Sequence, residues 1–248
     1  MGGSGRVYST AEVAVHTRVA SPPDRVFFPL MALTALAVVA AGFAPTYYLG
    51  FWFGAPPLQA IVHVHAMAFT AWLLLLLSQT LLIRLRKVRW HRAMGKLAAG
   101  VVVVMVITGY MVIVGKPRPT PFTRAFIFTP MLSLLLFPVL FGLAIRFRRD
   151  PATHKRLMLL ATIAIANAGV SRLLRMVGLE AVRYFQGYAV TYLLLLLPLI
   201  AFDLIRLRKL HPATVWGMVI LVARHPLHAA IAHTDTWQRF AAWLTPPV

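Results

Sequence analysis

Imidazole is the side chain that gives this sequence a claim to chemistry. The chain has nine histidines and no cysteine, so disulfide scaffolds, Fe–S clusters and thiolate metal sites are excluded, while neutral imidazole remains the commonest metal ligand. The segment QAIVHVHAMAFTAWLLLLLSQTLLI carries His63 and His65. Residues two apart on a helix point about 200° apart, so only one of them can face a given ligand. His65, Trp72 and Gln79 recur at intervals of seven, which leaves successive members about 20° apart and makes one stripe. Such a stripe on an apolar helix faces protein rather than lipid. His65 is therefore the expected ligand of a haem b or metal ion, ahead of His63, with Trp72 and Gln79 beside it. The competing reading is that these histidines hydrogen-bond neighbouring helices.

A second pair stands in WHRAMG and DPATHKRLM. In the latter, Asp150 suits an N-cap and Pro151 a first helical residue, which puts His154 in the first turn. His91 has the equivalent place in its own helix, so the two imidazoles are expected to meet at one end of a bundle as a second ligand pair. Alternatively each belongs to a basic collar facing anionic headgroups, as Arg92, Lys155 and Arg156 are expected to. A third group, Arg224, His225 and His228, interrupts WGMVILVARHPLHAAIAHT. His225 and His228 share a face, and one of them is expected to complete a metal site with His65, unless the segment is a kinked, water-exposed end.

The elements that carry these residues are set by hydropathy. The chain of 248 residues is 60% hydrophobic and 12% charged, with a mean hydropathy of +0.76, beyond what a water-soluble surface carries. A spanning helix needs about 20 mostly apolar residues. Seven stretches approach that, near 27–44, 59–83, 93–115, 125–146, 154–175, 186–206 and 213–233. The expected fold is an all-α integral membrane helix bundle over 27–233, between a polar tail at 1–26 and an interfacial tail at 234–248. The last span is the weakest, because Arg224, His225 and Pro226 break it, and six spans is the alternative count. Most of the 25 Lys and Arg residues fall in the N-terminal tail and in the 84–96, 146–156 and 206–209 loops. The positive-inside rule then makes the N-terminus cytoplasmic. It also accounts for a net charge of +19 without nucleic acid, whose recognition needs a basic groove rather than scattered loop charges. Tyr47, Tyr48, Phe51, Trp52 and Phe53 suit the opposite headgroup layer, as do Trp237, Phe240 and Trp243 in the tail.

What is missing narrows the mechanism. The six acids, Glu12, Asp24, Asp150, Glu180, Asp203 and Asp235, all lie at helix ends or in loops, which disfavours transporters coupled through buried carboxylates and carboxylate-bridged di-iron sites. No lysine lies deep in the last helix, so a retinal Schiff base is excluded. Asp203, Arg172 and Arg175 are expected to reach the interface from helix ends; Asn167 and Gln79 suit interhelical hydrogen bonds.

His63, His65, Trp72 and Gln79, followed by His91, Arg92 and Gly95 and then His154 to Met158, resemble a group of uncharacterised bacterial multi-pass membrane proteins that share His-x-His with Trp and Gln, His-Arg-x-x-Gly and His-Lys-Arg-Leu-Met. The resemblance covers residues 27–245 and implies a bacterial inner-membrane location without an activity. The layout is also distantly similar to di-haem cytochromes b. The histidines of the last helix, His225 and His228, depart from the group. Three functions are compatible with these residues: a redox protein holding haem b or a metal, with a quinone as partner; a non-catalytic accessory or assembly subunit of a larger membrane complex, for which Gly95, Gly100 and Gly109 offer close-packing positions; and a small-molecule transporter. Accessibility labelling is expected to find the two chain ends in opposite compartments; finding both in one compartment would overturn the odd span count.

Overall fold

Hydrocarbon offers no hydrogen bonds, so a chain this apolar must satisfy its backbone within helices. The computed structural model describes residues 24–116, 118–178 and 184–245, and all regular structure among them is helical. The tail up to residue 23 and the last three residues lie outside the described residues. Seven segments are long and apolar enough to cross a bilayer: Asp24–Tyr48, Ala60–Arg84, Val88–Val114, Pro121–Arg146, Pro151–Met176, Tyr188–Leu207 and Pro212–Ile231. The protein is thus a multi-pass membrane protein, an all-α helix bundle. Its outer faces fit lipid as solvent: Val103, Leu135, Leu193 and Ile205, all within these segments, are 56%, 60%, 61% and 74% exposed.

Several spans are built from more than one element. Helix α1 (Asp24–Phe43) runs into a π-helical turn at Ala44–Tyr48, and α2 (Ala60–Arg84) and α3 (Val88–Val114) form a hairpin. The fourth span joins α4 (Pro121–Phe126), capped by a reciprocal Thr120–Thr123 box, to α5 (Phe128–Arg146). Next come α6 (Pro151–Met176), α7 (Tyr184–Thr191), a π-helical turn at Tyr192–Leu196 and α8 (Leu197–Leu207). Pro198 explains that turn, since it lacks an N–H and its ring clashes with the carbonyl four residues earlier. Helix α9 (Pro212–Ile231) continues through Pro226, which settles the count at seven, and α10 (Asp235–Leu244) closes the described chain. The third span begins at Val88 rather than near 93, because Arg89 and Arg92 extend the helix beyond its apolar part.

Helix α6 is the centre, packed by α1, α5, α7 and α9. Leu160, Ile163, Ala164 and Val170 on it are fully buried. Its crossing with α1 is made by two glycines. A Cβ on Gly42 would lie 2.0 Å from the Gly169 carbonyl oxygen, and one on Gly169 would lie 2.7 Å from Val39 Cα. Small residues here let two backbones touch, which is how membrane helices gain packing energy where lipid removes the hydrophobic drive. In α10 Trp237 turns inward: its indole donates to the Arg124 carbonyl at 3.0 Å, while Trp243 is 79% exposed.

Gly169→Ala is expected to force α1 off α6 and lower stability by about 1–3 kcal/mol, read as a fall in unfolding temperature in mild detergent. Gly95→Ala, where a Cβ meets nothing within 4 Å, is expected to show no fall.

Candidate functional site

Two helix starts bring the best-placed imidazoles together. Asp150 caps α6: its carboxylate accepts from Ala152 N–H at 3.0 Å and from the Thr153 hydroxyl. Burial acts to raise this carboxyl, but the Thr153 and Ala152 hydrogen bonds outweigh it and hold it below the usual carboxylate range. The cap fixes the first turn and with it His154. His154 Nδ1 lies 2.8 Å from the Ala144 carbonyl of α5. A carbonyl only accepts, so Nδ1 carries the proton and Nε2 keeps its lone pair. The His91 ring, in the first turn of α3, stands 6.4 Å from the His154 ring, centroid to centroid, with the planes at 88°. His91 Nδ1 is buried without a hydrogen-bond partner among the described residues.

Gln79 approaches the same end from α2. The stripe it shares with Trp72 faces α5 and α6: the Trp72 indole donates to Thr162 at 3.2 Å and meets Phe137 and Phe141 edge-on. One heptad further on, about 10.5 Å along the helix, Gln79 reaches the level of the first turns of α6, and its backbone carbonyl lies beside the His91 ring. Its side chain is 7% exposed, yet neither amide atom has a partner among the described residues. The sequence suggested an interhelical hydrogen bond for the Gln79 side chain; among the described residues it makes none. Asn167 does make one, accepting from Thr191 at 3.3 Å.

The remaining histidines face other neighbours. His63 is exposed and sits 5.6 Å from Tyr47, ring to ring. His65 Nδ1 lies 3.1 Å from the Thr108 hydroxyl. Thr108 already donates to Val104 O at 2.7 Å, so His65 must be the donor, again leaving Nε2 with its lone pair. Gly109 admits the ring, since a Cβ there would lie 3.0 Å from His65 Cε1. His225 packs on Tyr188 and Tyr192 at 5.0 and 5.8 Å, whereas His228 meets Phe128, Thr129 and His233. Though three apart, the two are thus drawn to different neighbours. Among the described residues, no group of three or more His, Asp or Glu side chains is arranged to hold a metal ion.

Beside His154 lies a polar cluster that the sequence reading assigned to the headgroups. Arg156 and Asp203 do not reach the interface: they are 2% and 0% exposed. Arg156 Nε donates to Asp203 Oδ1 at 2.9 Å, its Nη2 donates to the same oxygen, and Nη1 donates to Ala152 O. Asp203 Oδ2 accepts from His211 N–H at 3.1 Å and from the Thr214 hydroxyl at 2.6 Å. Lys155 is also paired, with Asp24 at 2.8 Å. The signal in the sequence was a carboxylate near the end of an apolar span, which must find a partner or pay for its burial.

His211 completes the cluster, accepting at Nδ1 from Ala213 N–H at 3.2 Å as the N-cap of α9. Burial and the nearby Arg156 charge lower its pKa. The folded state therefore binds this proton less readily than the unfolded chain, whose imidazole titrates near about 6.5. Stability is full above that value and falls as pH drops through the lowered one, because a protonated Nδ1 can no longer accept. The unfolding temperature is expected to fall between pH 7.5 and 5.5, about the ordinary imidazole range, and His211→Asn, which caps without titrating, to flatten that dependence. An unchanged slope in the variant would refute the assignment.

Compared with family models, curated proteins and solved structures, the chain has no match.

Proposed function

We propose that this multi-pass membrane protein holds a redox metal, as haem b iron or as a bare transition-metal ion, between His91 and His154, and exchanges electrons with a quinone in the bilayer. The observation that carries the reading is the His154 imidazole, locked by the Ala144 carbonyl with a lone pair at Nε2, beside a second imidazole whose buried Nδ1 has no partner among the described residues. Backbone hydrogen bonds of this kind orient metal-ligating histidines. Metal–imidazole bonds are about 2 Å long, so rings on opposite sides of one metal have centres about 6 Å apart, close to the separation found here. Gln79 adds an amide oxygen at the same level. Ahead of His154, Arg146, Arg148 and Arg149 line a cleft of about 180 Å³, a suitable charge for haem propionates. Further along, Val106, Tyr110 and Met111 of α3 and Met131, Leu134 and Leu135 of α5 line an apolar groove of about 400 Å³, suited to a quinone's isoprenoid tail.

A second reading, an accessory subunit of a larger complex, is favoured by α3, where a Cβ added at Gly95 or at Gly100 would meet nothing within 4 Å. A spectrum separates the two. Protein purified in mild detergent from haem-replete cells is expected to show a Soret band that shifts on reduction, or a stoichiometric metal. His154→Ala and His91→Ala should each lose at least about ten-fold in bound cofactor, and His63→Ala should lose none. A colourless, metal-free preparation that co-purifies with other subunits would instead support the accessory role.

A further inference from the structure

Arg224 lies about two-thirds of the way along α9 and its guanidinium reaches Ala164, at the midpoint of α6, so a charge sits near the middle of the bundle with 1% exposure. Its Nη1 is fully engaged, donating to Ser133 Oγ at 2.8 Å and to Ala164 O at 2.9 Å. The opposite edge is not. Nη2 has only a long contact, 3.4 Å, to the Tyr192 hydroxyl, and Nε is buried with no partner among the described residues. The Tyr192 hydroxyl donates its own proton to Leu221 O, so it faces Arg224 as an acceptor. Tyr188 lies beneath the guanidinium, 4.5 Å from Cζ to the ring centre. Among the described residues no carboxylate pairs with Arg224: the ion pairs are Lys155–Asp24 and Arg156–Asp203.

A charge at this depth with no carboxylate partner among the described residues is among the most costly arrangements a membrane protein can carry. The Nε–Nη2 edge, held only by that long contact, presents a pair of parallel N–H donors, the geometry that carboxylates accept in bidentate fashion. The backbone is also irregular at this point. The π-helical turn starts at Tyr192, and interrupted helices at membrane depth occur where they line ligand sites. We infer that Arg224, floored by Tyr188 and flanked by Tyr192 of the π turn, forms a binding site for a carboxylate ligand within the bundle. It is separate from the His91–His154 pair and does not depend on it.

The test is binding to the whole protein in mild detergent, at constant ionic strength with chloride as reference. Sodium acetate serves as the water-borne carboxylate and micellar oleate as the lipid-borne one. The wild type is expected to bind one of them saturably, one per chain, with a rise in unfolding temperature. Arg224→Lys, which keeps the charge but loses the fork, should bind at least about ten-fold more weakly, and Arg224→Gln not at all. Because Arg224→Gln also removes the hydrogen bonds to Ser133 and Ala164, the lysine variant and the wild-type titration carry the decision. Glu180→Gln is expected to bind like the wild type; if it instead binds more tightly or mimics Arg224→Gln in stability, the counter-charge is internal and the inference fails. It fails equally if neither carboxylate outperforms chloride, or if Arg224→Lys binds as tightly as the wild type. Response to acetate identifies a soluble ligand, and response to oleate alone identifies a lipid.

Discussion

Asp203 is the point on which the architecture turns. All four of its hydrogen-bonding positions are filled, two by Arg156 of α6, one by the backbone at His211 and one by Thr214 of α9. A carboxylate and a guanidinium removed from water are tolerable only when each remaining lone pair and proton is satisfied. Meeting that condition fixes the central helix, α8 and the start of α9 relative to one another. The first turn of α6 is thereby held from two sides, by the Asp150 cap before it and the Arg156 clamp within it. His154 sits between them, which is why its ring has a defined direction.

The polar groups of the bundle fall into two kinds. Trp72 with Thr162, His65 with Thr108 and Asn167 with Thr191 are satisfied pairs, the hydrogen-bond glue of membrane helices. Gln79, His91 Nδ1 and the Nε edge of Arg224 are buried without partners among the described residues. Unpaired groups at such depth oppose folding, so their retention at two separate levels of the bundle needs an explanation beyond packing.

Much of this was readable from the chain. Hydropathy located seven spans because lipid permits few other solutions, and Asp150–Pro151 fixed the first turn that carries His154. The side of each helix that faces protein was less readable. Arg156 and Asp203 look like interface residues because each lies near a helix end, and only their mutual burial shows otherwise. Gln79 looks like a hydrogen-bond partner because its stripe faces inward, yet facing inward does not supply an acceptor. His225 and His228 share a helix face in projection, but aromatic neighbours draw one to Tyr188 and the other to Phe128. The break at Ile127 between α4 and α5 left no mark in the hydropathy, since the residues that flank it, Ala125, Phe126 and Phe128, are all apolar.

The π-helical turn at Tyr192–Leu196 has a bearing on how this chain tolerates change in length. Such a turn is equivalent to one extra residue in an α-helix, and each residue rotates the helix by about 100°. Everything after it, Asp203 included, therefore faces its present direction because of that surplus residue. A single deletion between Thr191 and Leu197 would remove that surplus residue and swing the carboxylate out toward the hydrocarbon. A deletion that hydropathy alone would score as harmless would thus unseat the clamp from a distance of about two to three turns.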